Sequence, residues 1–142
     1  MPYAYREHIA DMGIEASAGT LAGAFEAGVE AMLNLMFDLS TIEESLSFPV
    51  AATGRDIELL FVEVLNETLS IQGLRGLALK RIKVDSIKTD DDRVALSGIV
   101  YGEKFDRQKH VVKTEVKGAT YSGLFYNSGE GGTHVLRCVL DV

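Results

Sequence analysis

Two stretches of the chain carry apolar residues at three-to-four spacing. In residues 20–37, Leu21, Phe25, Val29, Met32 and Met36 recur in this way, which places them on one face of a helix. Thr20 stands where a capping hydroxyl is wanted. In residues 55–71, Ile57, Leu60, Phe61, Val64, Leu65 and Leu69 form a second, wider stripe. A wide apolar face suits a helix that packs across a sheet. Thr53 or Asp56 is placed to cap its start, and Gly73 to stop it.

The remaining apolar runs are short and read as strands. One has its register around Ile14. The run 46–53 lies between the two helices, and Pro49 favours an edge position for it. Residues 77–88 and 93–105 flank a turn at Thr89-Asp90-Asp91-Asp92. Residues 119–127 and 133–142 flank a second turn, Ser128-Gly129-Glu130-Gly131-Gly132. Each pair predicts a hairpin. The order is then strand, helix, strand, helix and four strands in hairpins. That pattern predicts an α+β fold, with two helices packed on one face of a mixed or antiparallel sheet as a two-layer sandwich. A length of 142 residues, without repeats or composition breaks, predicts a single domain over 1–142.

Charge changes the functional picture. The chain holds 14 Lys and Arg against 21 Asp and Glu, a net charge of −7. Nucleic-acid affinity comes mainly from basic side chains that neutralise phosphates, so tight direct binding of DNA or RNA is not expected. A cation site or a basic protein partner is. No stretch approaches the roughly 18 apolar residues of a membrane helix, and residues 1–11 lack the apolar core of a signal peptide. The expected setting is the cytoplasm.

Candidate chemistry is sparse. Asp90-Asp91-Asp92 lacks the glycine and terminal glutamate of a helix-loop-helix calcium loop, and a solvated turn is the plainer reading. Gly129-Glu130-Gly131-Gly132-Thr133 has no phosphate-loop lysine and reads as a turn of permissive glycines. Cys138 is the one cysteine, and nothing places His110 or His134 beside it as a base. Asp141 follows a run apolar enough to be central in a sheet, where an unpaired carboxylate is costly. A free α-carboxylate on Val142 sets a second anion beside it. This end is either a solvated terminus or a cation site. Lys117 is either a surface lysine or a cation within reach of one end of the sheet.

Four fragments, in order, resemble one family. Glu7-His8-Ile9-Ala10-Asp11 resembles its early Asp-His-Thr-Ala-Asp motif. Thr20-Leu21 resembles the start of its first helix, which runs to a Met-x-Asp, here Met36-Phe37-Asp38. Gly102-Glu103, His110 and Glu115-Val116-Lys117-Gly118-Ala119-Thr120-Tyr121 resemble its later motif. Asp141-Val142 resembles its acidic-aliphatic end. The chain thus resembles the archease family, small activators of the RtcB-type RNA ligase of tRNA splicing, from about Tyr5 to Val142. It departs from the pattern at Glu7, Ile9, Gly118, Ser122 and His134, where the family usually carries Asp, Thr, Ala, His and an aromatic residue.

The resemblance implies a divalent-cation site formed by Asp11, Asp141 and the terminal residue Val142, with Lys117 needed for activation. All three ligands are oxygens, which suits Ca²⁺ first, and Mg²⁺ or Mn²⁺ as alternatives. Glu7 and His8 would orient the ligands or touch the partner. The implied activity is non-enzymatic. The protein would promote guanylylation and repeated turnover of its ligase, and broaden the ligase's nucleotide use. Two other readings stand beside it. One is a metal-dependent hydrolase on Asp11 and Asp141, with Lys117 as electrophile. The other is a chaperone-like or RNA-modification adaptor.

Overall fold

The computed structural model describes residues 2–7 and 11–142, with backbone only for Glu7 and Glu130. The elements are β1 (Tyr3–Glu7), β2 (Asp11–Ala18), α1 (Leu21–Met36), β3 (Leu46–Gly54), α2 (Ile57–Arg75), β4 (Leu77–Asp90), β5 (Arg93–Lys104), β6 (Gly118–Ala119), β7 (Phe125–Ser128) and β8 (His134–Asp141). Short 3₁₀ turns lie at Leu39–Thr41 and Glu130–Gly132. The fold is α+β, as the element order predicts, and every pairing between strands is antiparallel.

The strands divide between two sheets. One has the order β1-β2-β8-β6, with β7 also on β8; the other is β3-β5-β4. Pro49 lies in the edge strand β3, where its missing N–H costs no ladder bond. The division explains α1. This helix packs on β2 of one sheet and β4 of the other, and none of its residues is exposed. Phe25, Val29 and Met32 of the apolar stripe are fully buried, and so are Ala24 and Ala31 outside it. A helix covered on two sides needs small residues where the second layer approaches closely.

Both helix starts are capped by side chains. Thr20 Oγ1 accepts the Gly23 N–H at 3.0 Å, and Asp56 Oδ1 accepts the Leu59 N–H at 2.8 Å. The second cap is therefore Asp56 rather than Thr53. The helix also passes through Gly73 and ends at Gly76, whose left-handed backbone (φ 61°, ψ 50°) closes it. The stop expected at Gly73 lies two residues inside the helix. Polar Gln72, in the last turn of α2, is buried because it has work there. Its Oε1 accepts the Leu79 N–H at 2.9 Å, and its Nε2 faces Met36 Sδ at 3.5 Å.

Two further elements differ from the sequence reading. β1 is an added strand, paired through Tyr3↔Ala16 to Glu7↔Met12. The expected strand 119–127 is interrupted by a turn through Tyr121-Ser122-Gly123, with Gly123 at φ 62°. It survives as β6 and β7, which pair with different parts of β8. The hairpins expected at 89–92 and 128–132 are both present.

Candidate metal site and its supports

β2 and β8 run antiparallel from Asp11↔Asp141 to Ala18↔His134. Cross-strand partners share a face of the sheet, and faces alternate along each strand. Ile14 and Cys138 are buried partners, as are Ala16 and Leu136, so that set faces the core. Asp11 and Asp141 fall on the other face. They are separated in sequence by almost the whole chain, yet the ladder seats them directly opposite each other. Two like charges in that position repel unless something lies between them.

Among the described residues, Asp11 Oδ1 is a buried side-chain oxygen with no hydrogen-bond partner. A buried anionic oxygen without a donor is costly, and a cation is the simplest group that would satisfy Asp11 and offset the charge of exposed Asp141 beside it. The oxygen-only donors fit a hard divalent ion. No cluster of three or more His, Cys, Asp or Glu side chains suited to a metal is found among the described residues, and the ladder brings together two carboxylates, Asp11 and Asp141. Val142 follows Asp141 and is half-buried against the main core.

Lys117 arrives at the same end. Its backbone N–H donates to Asp141 C=O at 2.8 Å, immediately before β6 pairs Gly118 with Asp141. Its side chain is exposed, and no described carboxylate pairs with it. Glu7 lies in β1 opposite Met12, next to Asp11 along the sheet. His8 and Ile9 lie outside the described residues. Ser122 occupies the turn after β6, where its N–H donates to Thr120 Oγ1 at 3.2 Å. His134 stacks on Tyr126, with Nδ1 2.7 Å from the Tyr126 hydroxyl.

A second polar cluster, to which sequence reasoning gave no role, stands on β5 and the loop after it. The His110 side chain is completely buried. Its Nδ1 accepts the Asp106 N–H at 2.9 Å, so Nε2 carries the proton and donates to Glu103 Oε2 at 2.9 Å. Glu103 also accepts the Glu43 N–H at 2.8 Å and Lys109 Nζ at 3.0 Å. These donors, the Glu43 N–H first, then His110 and Lys109, hold the Glu103 carboxyl down at about 2. The cluster pins the loop that goes on to cap α1. Lys113 N–H donates to Met36 C=O, Thr114 N–H to Leu35 C=O, and Lys113 Nζ to Asn34 C=O. The signal was the Glu103 to His110 spacing, but only a loop closing on itself turns that spacing into contact.

A pH dependence follows from this cluster. Folding lowers the Glu103 value, so its stabilisation is complete above the ordinary 4.5 and is lost as pH falls through about 2. Glu103→Gln should therefore melt below the wild type by a constant gap above about pH 5. That gap should close toward pH 2. Thermal melts of both proteins across this range check it, and a gap that stays constant to the acid end would remove Glu103 as its source.

Cys138 is no nucleophile. Burial pushes its thiol up to about 11, and it donates to Thr120 C=O at 3.4 Å. The acidic run Asp90-Asp91-Asp92 forms an exposed turn whose Asp91 N–H bonds to Asp90 Oδ1.

Comparison with known proteins agrees with this fold. The family model described as "Archease protein family (MTH1598/TM1083)" matches residues 3–142. The "Protein archease" of Pyrococcus furiosus is 35% identical over 136 residues, covering 96% of this chain and 95% of that protein. The solution structure of Methanobacterium thermoautotrophicum protein 1598 superposes with a TM-score of 0.85 at 29% identity, covering 99% of both chains. A Thermotoga maritima crystal structure, described as an archease and possible chaperone, shares the fold with a TM-score of 0.58 at 20% identity. That alignment covers 96% of this chain and 94% of the other.

Proposed function

The chain belongs to the archease family, and on that premise we propose that it is a non-enzymatic activator of an RtcB-type RNA ligase of tRNA splicing, working in the cytoplasm through a divalent-cation site. It promotes guanylylation of the ligase and repeated turnover, and widens the nucleotide the ligase accepts. The observation that carries this reading is the buried Asp11 Oδ1, without a hydrogen-bond partner among the described residues, opposite Asp141 at one end of the five-stranded sheet.

Asp11 and Asp141 hold the cation, Ca²⁺ first and Mg²⁺ or Mn²⁺ next. Where Val142 is the last residue, its α-carboxylate is a third ligand. Ca²⁺ takes roughly six to eight oxygens, and one oxygen from each of these groups leaves about half or more of the places unfilled. The ion therefore stays open to oxygens from water or from a partner, and it supplies positive charge at the contact. Lys117 adds an exposed cation at the same end of the sheet, and Glu7 and His8 orient the ligands or meet the partner. A net charge of −7 suits a basic, nucleic-acid-handling partner. Among the described residues, no helix is long and apolar enough to cross a membrane.

The test mixes the protein with such a ligase, GTP and metal. Substoichiometric protein should raise ligase guanylylation and the number of RNA ends sealed per ligase, while the protein alone takes up no label from GTP. Nucleotide hydrolysis by the protein alone, dependent on Asp11, would replace this reading with the hydrolase. Protection of an unrelated unfolding protein without any effect on the ligase would favour the chaperone role named for the T. maritima neighbour.

A further inference from the structure

We propose that Asn66 of α2 is a positioning residue for the Lys117–Asp141 end of the sheet and, through it, for the metal ligands. The inference rests on the reading of Asp11 and Asp141 as ligands. Strand β6 has only two residues, Gly118 and Ala119, and pairs with β8 through Asp141 and Leu140. So short a ladder needs help to hold its register. On the β8 side, Lys117 N–H donates to Asp141 C=O at 2.8 Å. Thr120 gives both its N–H and its hydroxyl to Val139 C=O, at 2.9 and 2.8 Å.

Asn66 serves Ala119, which lies between them. Its Oδ1 accepts the Ala119 N–H at 2.8 Å, and its Nδ2 donates to Ala119 C=O at 3.2 Å. The side-chain amide thereby does for Ala119 what a neighbouring strand would do, satisfying donor and acceptor together. Asn is disfavoured inside a helix by as much as ~0.7 kcal/mol relative to Ala, so helix formation does not explain it at position 66. One turn earlier, Glu63 Oε1 accepts the Tyr121 hydroxyl at 3.2 Å. Residues three apart share a helix face. The helix thus grips the segment at two points, of which the Asn66 contact is half-buried and the Glu63 contact exposed.

The consequence is a rigid path. Asn66 fixes Ala119, β6 fixes the backbone of Asp141, and the ladder sets Asp141 against Asp11. Without the clamp, β6 can leave β8, and the Asp141 carbonyl loses its Lys117 donor. The ligands then have to be ordered when the metal binds.

Asn66→Ala and Asn66→Asp are to be examined by amide hydrogen exchange without metal and by titration with Ca²⁺ alone. Asn66→Asp keeps the acceptor for Ala119 N–H and serves if the alanine variant folds poorly. In Asn66→Ala the amides of residues 117–120 should exchange at least tenfold faster, while those of α1 and β5 keep wild-type rates. Ca²⁺ affinity should fall about tenfold, within the range typical of groups that orient a ligand. Unchanged exchange at 117–120 overturns the proposal, and so does accelerated exchange with unchanged Ca²⁺ affinity. If the wild type takes up no Ca²⁺ while the variant exchanges faster at 117–120, the metal reading falls and the clamp stands.

Discussion

Asp11→Asn should lower Ca²⁺ affinity by roughly 100-fold or more, above the 10–100-fold lost when a supporting group around a ligand is removed, and should abolish stimulation of the ligase. The substitution is nearly isosteric. It takes one negative charge from a site whose donors are all oxygens, and ligand charge count largely sets the affinity of such sites. Folding should be untouched. Asp11 faces Asp141 across the ladder, so in chelator the change relieves a like-charge contact, and the melting temperature should hold or rise. The same titration tests Val142. A C-terminal extension replaces its carboxylate by an amide and should cost about tenfold, equivalent to ~1.4 kcal/mol, whereas an N-terminal one should cost nothing. Wild-type affinity in Asp11→Asn would end the metal reading, and a variant that fails to fold in chelator would make Asp11 a structural residue.

That pair of aspartates shows where sequence reading stops. The helices were legible because the signals for them are local. Apolar spacing marks Phe25, Val29 and Met32, and Thr20 caps within three residues of its target. Edge strand β3 was legible from Pro49 alone. Asp11 carries no such signal, and the apolar run before Asp141 marks that carboxylate without naming its partner. Their meeting depends on β2 choosing β8 as partner across the length of the chain, a choice that periodicity does not encode. The family resemblance supplied it instead. The split into two sheets was hidden for a similar reason, since one helix covered on two sides and one covered on a single side share the same main stripe. Small Ala24 and Ala31 marked the second layer of α1, but alanine is also a common helix former. The turn between β6 and β7 depended on Gly123, one glycine inside a run of strand-forming residues.

The glycines give the second large effect. Gly102→Ala should destabilise the protein by about 3 kcal/mol or more, the upper end of ordinary overpacking costs. A methyl at Gly102 would lie 2.2 Å from Ala78 O and 2.8 Å from Leu79 Cα, both backbone atoms of β4 that cannot swing aside. The register of β4 against β5 shifts there, between Leu79 and Arg81, and again between Val84 and Ser86, beside Gly98. At each shift a β4 N–H is taken by a helix side chain: Leu79 by Gln72 of α2, and Val84 by Glu26 of α1. The glycines let β4 lean over β5 while both helices hold its bulges. Pushing β4 away at Gly102 also threatens the bond to buried Gln72, a further cost of ~1–3 kcal/mol if its oxygen is left without a donor. Gly73→Ala is the control. It sits inside α2, exposed, with nothing within 4 Å of the added methyl, and should stabilise by ~0.5–1 kcal/mol. Urea unfolding of both variants decides the matter. A Gly102→Ala loss under about 1 kcal/mol, below the usual range for overpacking, would mean that β4 yields freely. The close approach would then not be what holds the bulge in place.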